Sequence, residues 1–388
     1  MSRRNFPRPE QELILACART RMDPDQAHCL RSLLEGPIDW DYILIEARWH
    51  GVLALLHWHL AEMPPALVPA SAAESLRGSY EKTQRRNLYL SLQLLAILKR
   101  FAAEGIPAIP YKGPTLAVMA YGRPGLREFA DLDILVKKAD VLRAKDVLIA
   151  EGFQSTLRLS EAQERALVES QQAYLLVRPD RTVQVELHWE ISPRHVSLPP
   201  DPERFWRRLA PVALTGTTVH TLAPDVLLAT LCEHGGKHVW ERLTWVCDIA
   251  ELLQAGIEFD WAAISAEARR SDSQRMVALG LRLAENLLGV PVPEPMREQA
   301  HGDPVVGALV AHVQATLFRD RRRRPGFLEQ ARFHVRLRRR WRHRVRYGWM
   351  AATTLTVADW DRRLPPGLSF LYYPIRLLRL AGGAHGHD

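Results

Sequence analysis

Phe129-Ala130-Asp131-Leu132-Asp133-Ile134-Leu135-Val136 alternates like a half-buried β-strand. Residues two apart on a strand point the same way, so Asp131 and Asp133 share one face while Ala130, Leu132 and Ile134 take the core side. Val183-Gln184-Val185-Glu186-Leu187-His188-Trp189 repeats the pattern, with Gln184, Glu186 and His188 opposite Val183, Val185 and Leu187. Glu186 is thus a third acid on a strand that could lie beside the first.

Upstream, Ile106-Pro107-Ala108-Ile109-Pro110-Tyr111 is short, apolar and proline-bearing, which suits a strand near a sheet edge. Lys112-Gly113 turns the chain. Pro114 fits the first position of a helix running from Thr115 to Tyr121, where no backbone donor is needed. Gly122 to Gly125 reads as a loop, and a helix from Asp140 to Glu151 ends at Gly152. Ala173 to Arg178 and Val183 to Trp189 form the arms of a hairpin turning at Pro179-Asp180-Arg181.

Two like charges side by side repel, and a divalent cation removes that penalty. Two cations about 3.5 to 4 Å apart can hold both the attacking and the leaving oxygen of a phosphoryl displacement. Magnesium suits such a site because it prefers hard oxygen ligands and keeps waters and phosphates in its shell; manganese is the alternative. An isolated Asp-x-Asp, however, more often marks only a solvent-facing strand. Here it follows Lys112-Gly113-Pro114, a strand-to-helix turn where glycine lets backbone approach a phosphate and a helix N-terminus favours negative charge.

The order strand, glycine turn, helix, loop, acid pair and later acid resembles the DNA polymerase β-like nucleotidyltransferase superfamily, although the usual Gly-Ser turn is replaced by Lys-Gly. The closer resemblance is to a bacterial nucleotidyltransferase family within it. It is carried by Tyr111-Lys112-Gly113, Gly125-Leu126-Arg127, Asp131 to Val136 and Glu186-Leu187-His188-Trp189. It continues into Leu231-Cys232-Glu233-His234-Gly235-Gly236-Lys237-His238 and Leu243 to Ala250, and covers roughly residues 88 to 290. The resemblance implies that Asp131 and Asp133 bind the metal, with Glu186, where the family usually has Asp, as third ligand and base for an acceptor hydroxyl. It also implies that Lys112, Gly113 and Arg127 hold the nucleotide phosphates.

The expected fold is α+β: a polymerase β-like nucleotidyltransferase core, a small mixed sheet with helices, between helical N-terminal and C-terminal regions. The boundaries are 1–87 (helical), 88–222 (core), 223–300 (helical) and 301–388 (arginine-rich helical). The lead-in from Glu10 to Ala61 has helical spacing, and a long helix runs from near Ala73 to Glu104 with Leu88, Leu92, Leu95 and Leu98 on one face. Asp225 to Leu253, Trp261 to Arg270 and Gln274 to Leu288 also show helical period.

Composition sets the outer bounds. At 388 residues, 47% hydrophobic and 25% charged, the chain supports two or three packed units. It has no apolar run of the roughly 18 residues that a membrane crossing needs. Ser2-Arg3-Arg4-Asn5-Phe6 looks like the start of a twin-arginine export signal, but charged, proline-broken sequence follows where an apolar segment is required. Cys17, Cys29, Cys232 and Cys247 contain no Cys-x-x-Cys pair and read as small apolar residues in a reducing compartment. A cytoplasmic protein is expected.

Net charge is +8, yet thirteen arginines fall between Arg319 and Arg346, leaving the remainder slightly acidic. With Phe327, Leu328, Phe333, Val335, Leu337 and Trp341 among them, they suggest helices with a basic face that meets nucleic acid or an anionic membrane, or is merely solvated. Leu368 to Tyr373 with Arg376 and Arg379 would extend a membrane-surface helix.

Among secondary signals, His234 and His238 share one helix face beside Lys237. They are candidates for substrate contact or for packing, zinc being disfavoured without a third ligand. His188 would help the acid cluster or bridge to it. Asp248 reads as a structural partner for a nearby cation, and Trp189, Trp240 and Trp245 as core aromatics or a base-stacking surface. The Gly235-Gly236 pair inside a helix asks for close approach of a ligand or another helix.

The expected chemistry is transfer of a nucleoside monophosphate from a nucleoside triphosphate, ATP by default, to a hydroxyl of an unidentified acceptor, a peptide or small molecule. The alternatives are a phosphotransferase on the same scaffold and a non-catalytic nucleotide- or peptide-binding accessory protein.

Overall fold

The structure, a computed structural model, describes residues 6–157, 159–191, 203–320, 326–353 and 374–375. The export-like residues 2–5, arginines 321–324 and the stretch 368–373 with Arg376 and Arg379 lie outside these.

Four short helices open the chain: α1 (Pro9–Cys17), α2 (Pro24–Leu34), α3 (Trp40–His50) and α4 (Leu53–Leu60). Asp23 starts α2 in a capping box with Gln26, and Asp39 starts α3 by accepting from the Tyr42 N–H. Each cap satisfies an amide that the helix itself leaves unpaired.

The long helix α5 (Ala70–Ala103) forms where expected but buries a different stripe: Asn87, Leu90, Ser91, Leu94, Ile97 and Phe101. Leu88 and Leu92 are 54% and 51% exposed, which corrects the expected apolar face. Both stripes have helical spacing, so periodicity alone does not choose between them. The buried amide of Asn87 donates to the carbonyls of Pro124 (2.6 Å) and Arg127 (2.8 Å), and this fixes the helix rotation.

The main sheet contains β1 (Ala108–Pro110), β2 (Leu132–Val136), β3 (Gln154–Ser155), β4 (Ala173–Val177) and β5 (Gln184–His188), in the order β1-β2-β5-β4-β3. The proline-bearing β1 lies at an edge, as expected. β2 and β5 are parallel and the other pairs antiparallel, including the expected β4–β5 hairpin. A parallel pair needs a long crossover; here it is supplied by α7 (Val141–Ala150), α8 (Glu161–Ser170) and β4, while α6 (Gly113–Tyr121) follows β1.

β2 is buried along its whole length rather than half-buried. Leu132, Ile134 and Val136 enter one core with Leu94, Phe101 and Leu148, whereas Leu135, Ile109 and Tyr111 enter a second core with the helical body. The face that looked solvated in sequence is therefore covered, and the acids lie at the junction between sheet and helices.

After α9 (Arg204–Arg207), β6 (Leu209–Leu214) and β7 (Thr217–Leu222) form a separate hairpin. Thr215 and Gly216 both have positive φ, as a two-residue type I′ turn requires. Beyond it the described chain is helical, as its period implies. It comprises α10 (Pro224–Lys237), α11 (Leu243–Gln254), α12 (Trp261–Ser271), α13 (Gln274–Leu288), α14 (Met296–Gly302), α15 (Pro304–Thr316), α16 (Phe327–Leu337) and α17 (Trp341–Thr353). Leu13, Ile43 and Leu56 from the N-terminal helices share a core with Leu227, Val246 and Leu283.

The arginine-rich segment is partly docked onto this body. Phe333 and Leu337 of α16 are buried in the same core, and Arg338 is buried. On α17, Trp341, Val345 and Trp349 are each at least 64% exposed. No helix among the described residues is long and apolar enough to cross a membrane.

Candidate functional site

Asp133 on β2 pairs in register with Glu186 on β5. Since alternate residues share a face, His188 stands on the Glu186 side of the same strand. Its Nε2–H is shared between Asp133 Oδ1 at 3.2 Å and Glu186 Oε2 at 3.1 Å. Asp133, Glu186 and His188 each offer a ligand atom within 4.8 Å of the others. Asp131 stands one residue ahead of β2 and outside that group of three.

Lys112 completes the cluster from the turn before α6, its ammonium 2.9 Å from Asp133 Oδ1. Burial by itself would raise the Asp133 carboxyl, but Lys112 and the hydrogen bond from His188 outweigh it and hold the carboxyl well below the usual range. Glu186 is likewise lowered against burial, first by its hydrogen bond from His188. Asp131 behaves oppositely. Burial, then repulsion from Asp133 and Glu186, pushes it up to about 6. The neighbouring carboxylates thus divide into two firmly ionised acids and one that takes up a proton only as pH falls to about 6. Burial would lower His188 and Lys112, yet their acidic partners raise both.

The turn itself requires glycine. Gly113 has φ +48°, and a Cβ there would meet the Asp131 carbonyl oxygen at 3.2 Å, so backbone passes close beside the acid strand. Tyr111, fully buried, packs its ring edge-on to His188, and its hydroxyl has no hydrogen-bond partner among the described residues. Burial and the nearby acids raise its pKa well above the ordinary value, keeping it a neutral donor. Sequence reasoning gave Tyr111 no role of its own. Its one signal is an aromatic hydroxyl directly before the Lys-Gly turn.

Arg127, expected at phosphate, is buried against Asp248. Its Nε and Nη2 donate to the two carboxylate oxygens at 2.7 and 2.9 Å, and the Tyr121 hydroxyl donates to Asp248 at 2.8 Å. Asp248 is therefore the structural partner of a nearby cation, as expected of an acid in the helical unit. The fork ties the loop before β2 to α11. Arg127 Nη1 is left buried without a hydrogen-bond partner among the described residues.

His234, His238 and Trp245 form one aromatic group, with ring centroids 4.7 to 5.4 Å apart. Neither imidazole has a hydrogen-bond partner among the described residues. Burial first, then the charges of Lys112 and Lys237, lowers both; His238 falls to about 3, so both are neutral at pH 7. The paired glycines have a packing explanation. A Cβ on Gly235 would stand 2.5 Å from the Trp240 ring, and Gly236 faces Met276 and Leu337. Left-handed backbone at Val239 and Trp240 folds that indole back onto the helix.

The residues fit a divalent cation by their donor chemistry: two ionised carboxylates and an imidazole converge, and His188 Nδ1, on the far side of the ring, is buried with no partner among the described residues. The family model described as "Uncharacterised nucleotidyltransferase" matches residues 36–289. The chain belongs to this nucleotidyltransferase family. The family's span takes in α3, α4 and α5, the whole sheet, and the helices through α13, so it covers every residue of the cluster just described. The chain matches no curated protein and no solved structure.

Proposed function

We propose that this chain transfers a nucleoside monophosphate from a nucleoside triphosphate, ATP by default, to a hydroxyl of a peptide or small-molecule acceptor. The observation that carries the reading is the in-register opposition of Asp133 and Glu186, with Lys112 bound to the former. The acceptor oxygen forms its bond to the α-phosphorus as the bond to the bridging oxygen breaks, and pyrophosphate leaves. A divalent cation, magnesium or manganese, held by Asp133 and Glu186 would supply charge stabilisation at the phosphoryl oxygens. Lys112 holds a phosphate oxygen once drawn from Asp133. The hydroxyl proton passes to Asp131, whose affinity for protons near neutrality suits a base better than that of Glu186. In this reading His234, His238 and Lys237 would meet the acceptor from the helical side, and Arg127 would meet phosphate through Nη1, which has no partner among the described residues.

The test supplies α-labelled and γ-labelled ATP, with each metal in turn and a panel of hydroxyl-bearing peptides and small molecules. Labelled α-phosphate should appear on an acceptor with stoichiometric pyrophosphate, and Asp133→Asn should abolish both. Movement of the γ-label would establish a phosphotransferase. Nucleotide binding without turnover across the panel would establish an accessory protein.

A partner reading comes from α17. Trp341, Val345 and Trp349 recur at four-residue spacing and are exposed, with Arg342 and Arg346 alongside. Aromatic residues at the ends of an apolar stripe beside arginines favour an anionic lipid surface over nucleic acid.

A further inference from the structure

We propose that His188 Nε2 is a direct metal ligand, so that the centre is an Asp133–Glu186–His188 set selective for manganese over magnesium. The inference rests on the nucleotidyl-transfer reading and deepens it at the same site.

The spacing supports it. Ligand atoms at right angles around one ion, each about 2.0 to 2.2 Å from it, stand about 2.8 to 3.1 Å apart. His188 Nε2 lies 3.2 and 3.1 Å from the nearest oxygens of Asp133 and Glu186, close to that separation before any adjustment. Adjacent strands β2 and β5 fix the two acids in register, and His188 lies two residues along from Glu186 on the same face. The three donors are therefore placed by sheet geometry rather than by a loop.

The ring can also present a lone pair. Nδ1 is buried and has no partner among the described residues, so the imidazole proton can reside there while Nε2 faces the ion. Within the group of three, nitrogen stands as the third donor beside two carboxylates, where a third carboxylate, Asp131, was expected. That exchange matters chemically. Magnesium demands oxygen and gains little from imidazole, whereas manganese accepts both carboxylate and imidazole.

The test titrates the metal-free full-length protein with manganese and with magnesium by calorimetry and records pulsed electron paramagnetic resonance of the manganese complex. Manganese should bind at least about tenfold tighter than magnesium, and its spectrum should show coupling to a directly bound nitrogen. His188→Gln should lose that coupling and most of the preference, leaving magnesium affinity within about threefold. Manganese bound without nitrogen coupling, or equal affinity for both ions, would overturn the inference. The wild-type spectrum decides the matter even if His188→Gln does not fold. Label transferred from α-labelled ATP while bound manganese shows no nitrogen coupling would leave nucleotidyl transfer standing while this inference fails; absence of transfer alongside nitrogen-coupled manganese would do the reverse.

Discussion

Lys112 Nζ and His188 Nε2 converge on one oxygen, Asp133 Oδ1, at 2.9 and 3.2 Å. The chain thus neutralises its own buried acid, and any cation drawn to Asp133 meets a resident competitor.

That competition sets opposite expectations for Lys112→Met. Manganese affinity should rise several-fold as the competing charge disappears. The Michaelis constant for the nucleoside triphosphate should rise about tenfold or more, since a lost charge-assisted hydrogen bond is worth about 1.5 to 3 kcal/mol. Calorimetry and steady-state kinetics would separate the two effects. A purely architectural lysine would move neither in this manner.

The Arg127–Asp248 fork is a buried ion pair, and breaking it from one side leaves an uncompensated charge. Asp248→Leu and Arg127→Met should each cost about 3 to 5 kcal/mol in urea unfolding, while the double variant recovers most of the loss. If the double variant is folded but binds nucleotide as the parent does, Arg127 ties the loop to α11 and contributes nothing at phosphate.

Gly235→Ala places a methyl carbon 2.5 Å from the Trp240 ring. Displacing a fully buried indole should cost about 1 to 3 kcal/mol and change the near-ultraviolet dichroism. Gly280→Ala, whose Cβ would meet Cys232 Sγ at 2.6 Å, should behave similarly. Unaltered stability in both variants would mean that the interhelical approach is looser than these distances.

His334 anchors α16: one ring nitrogen donates to the Lys237 carbonyl at 3.0 Å, and the other accepts from the Tyr347 hydroxyl at 2.8 Å. Burial, then the charge of Arg338, lowers it to about 4. The unfolded chain takes up the proton near pH 6.5 while the folded chain resists until about 4. The stabilisation is therefore complete above pH 6.5 and is lost as pH falls through that window, amounting to about 3 kcal/mol. His334→Gln should flatten this part of the stability profile in denaturant melts at pH 7.5, 6, 5 and 4; an unchanged slope would assign it to other groups.

For α17, Trp341→Ser combined with Trp349→Ser should weaken binding to vesicles containing phosphatidylserine by about tenfold or more, and salt should weaken what remains. Salt-sensitive binding to single-stranded RNA that ignores both substitutions would point to nucleic acid instead.

Much of the scaffold was legible because its signals are local. Period-two alternation marked the β4–β5 hairpin, proline and glycine marked the turn into α6, and helical spacing marked α5 and α10 to α13. The same patterns put Asp133, Glu186 and His188 on matching faces of their strands. What period could not settle was rotation and cover: Leu88 and Leu92 face outward because Leu90, Leu94, Ile97 and Phe101 enter the sheet core and Asn87 on the same face meets two loop carbonyls.

By itself, the sequence determined the principal helices and strands and, on β2 and β5, which side chains share a face, since backbone propensity and alternation act over a few neighbouring residues. Only the tertiary structure decided which acids meet. The parallel register of β2 and β5 sets Asp133 against Glu186 and brings in His188, with Asp131 one residue ahead of β2 and repelled by both acids. Burial between two cores then separates their charges, because proton affinity depends on desolvation and on partners remote in the chain, among them Lys112, 21 residues from Asp133.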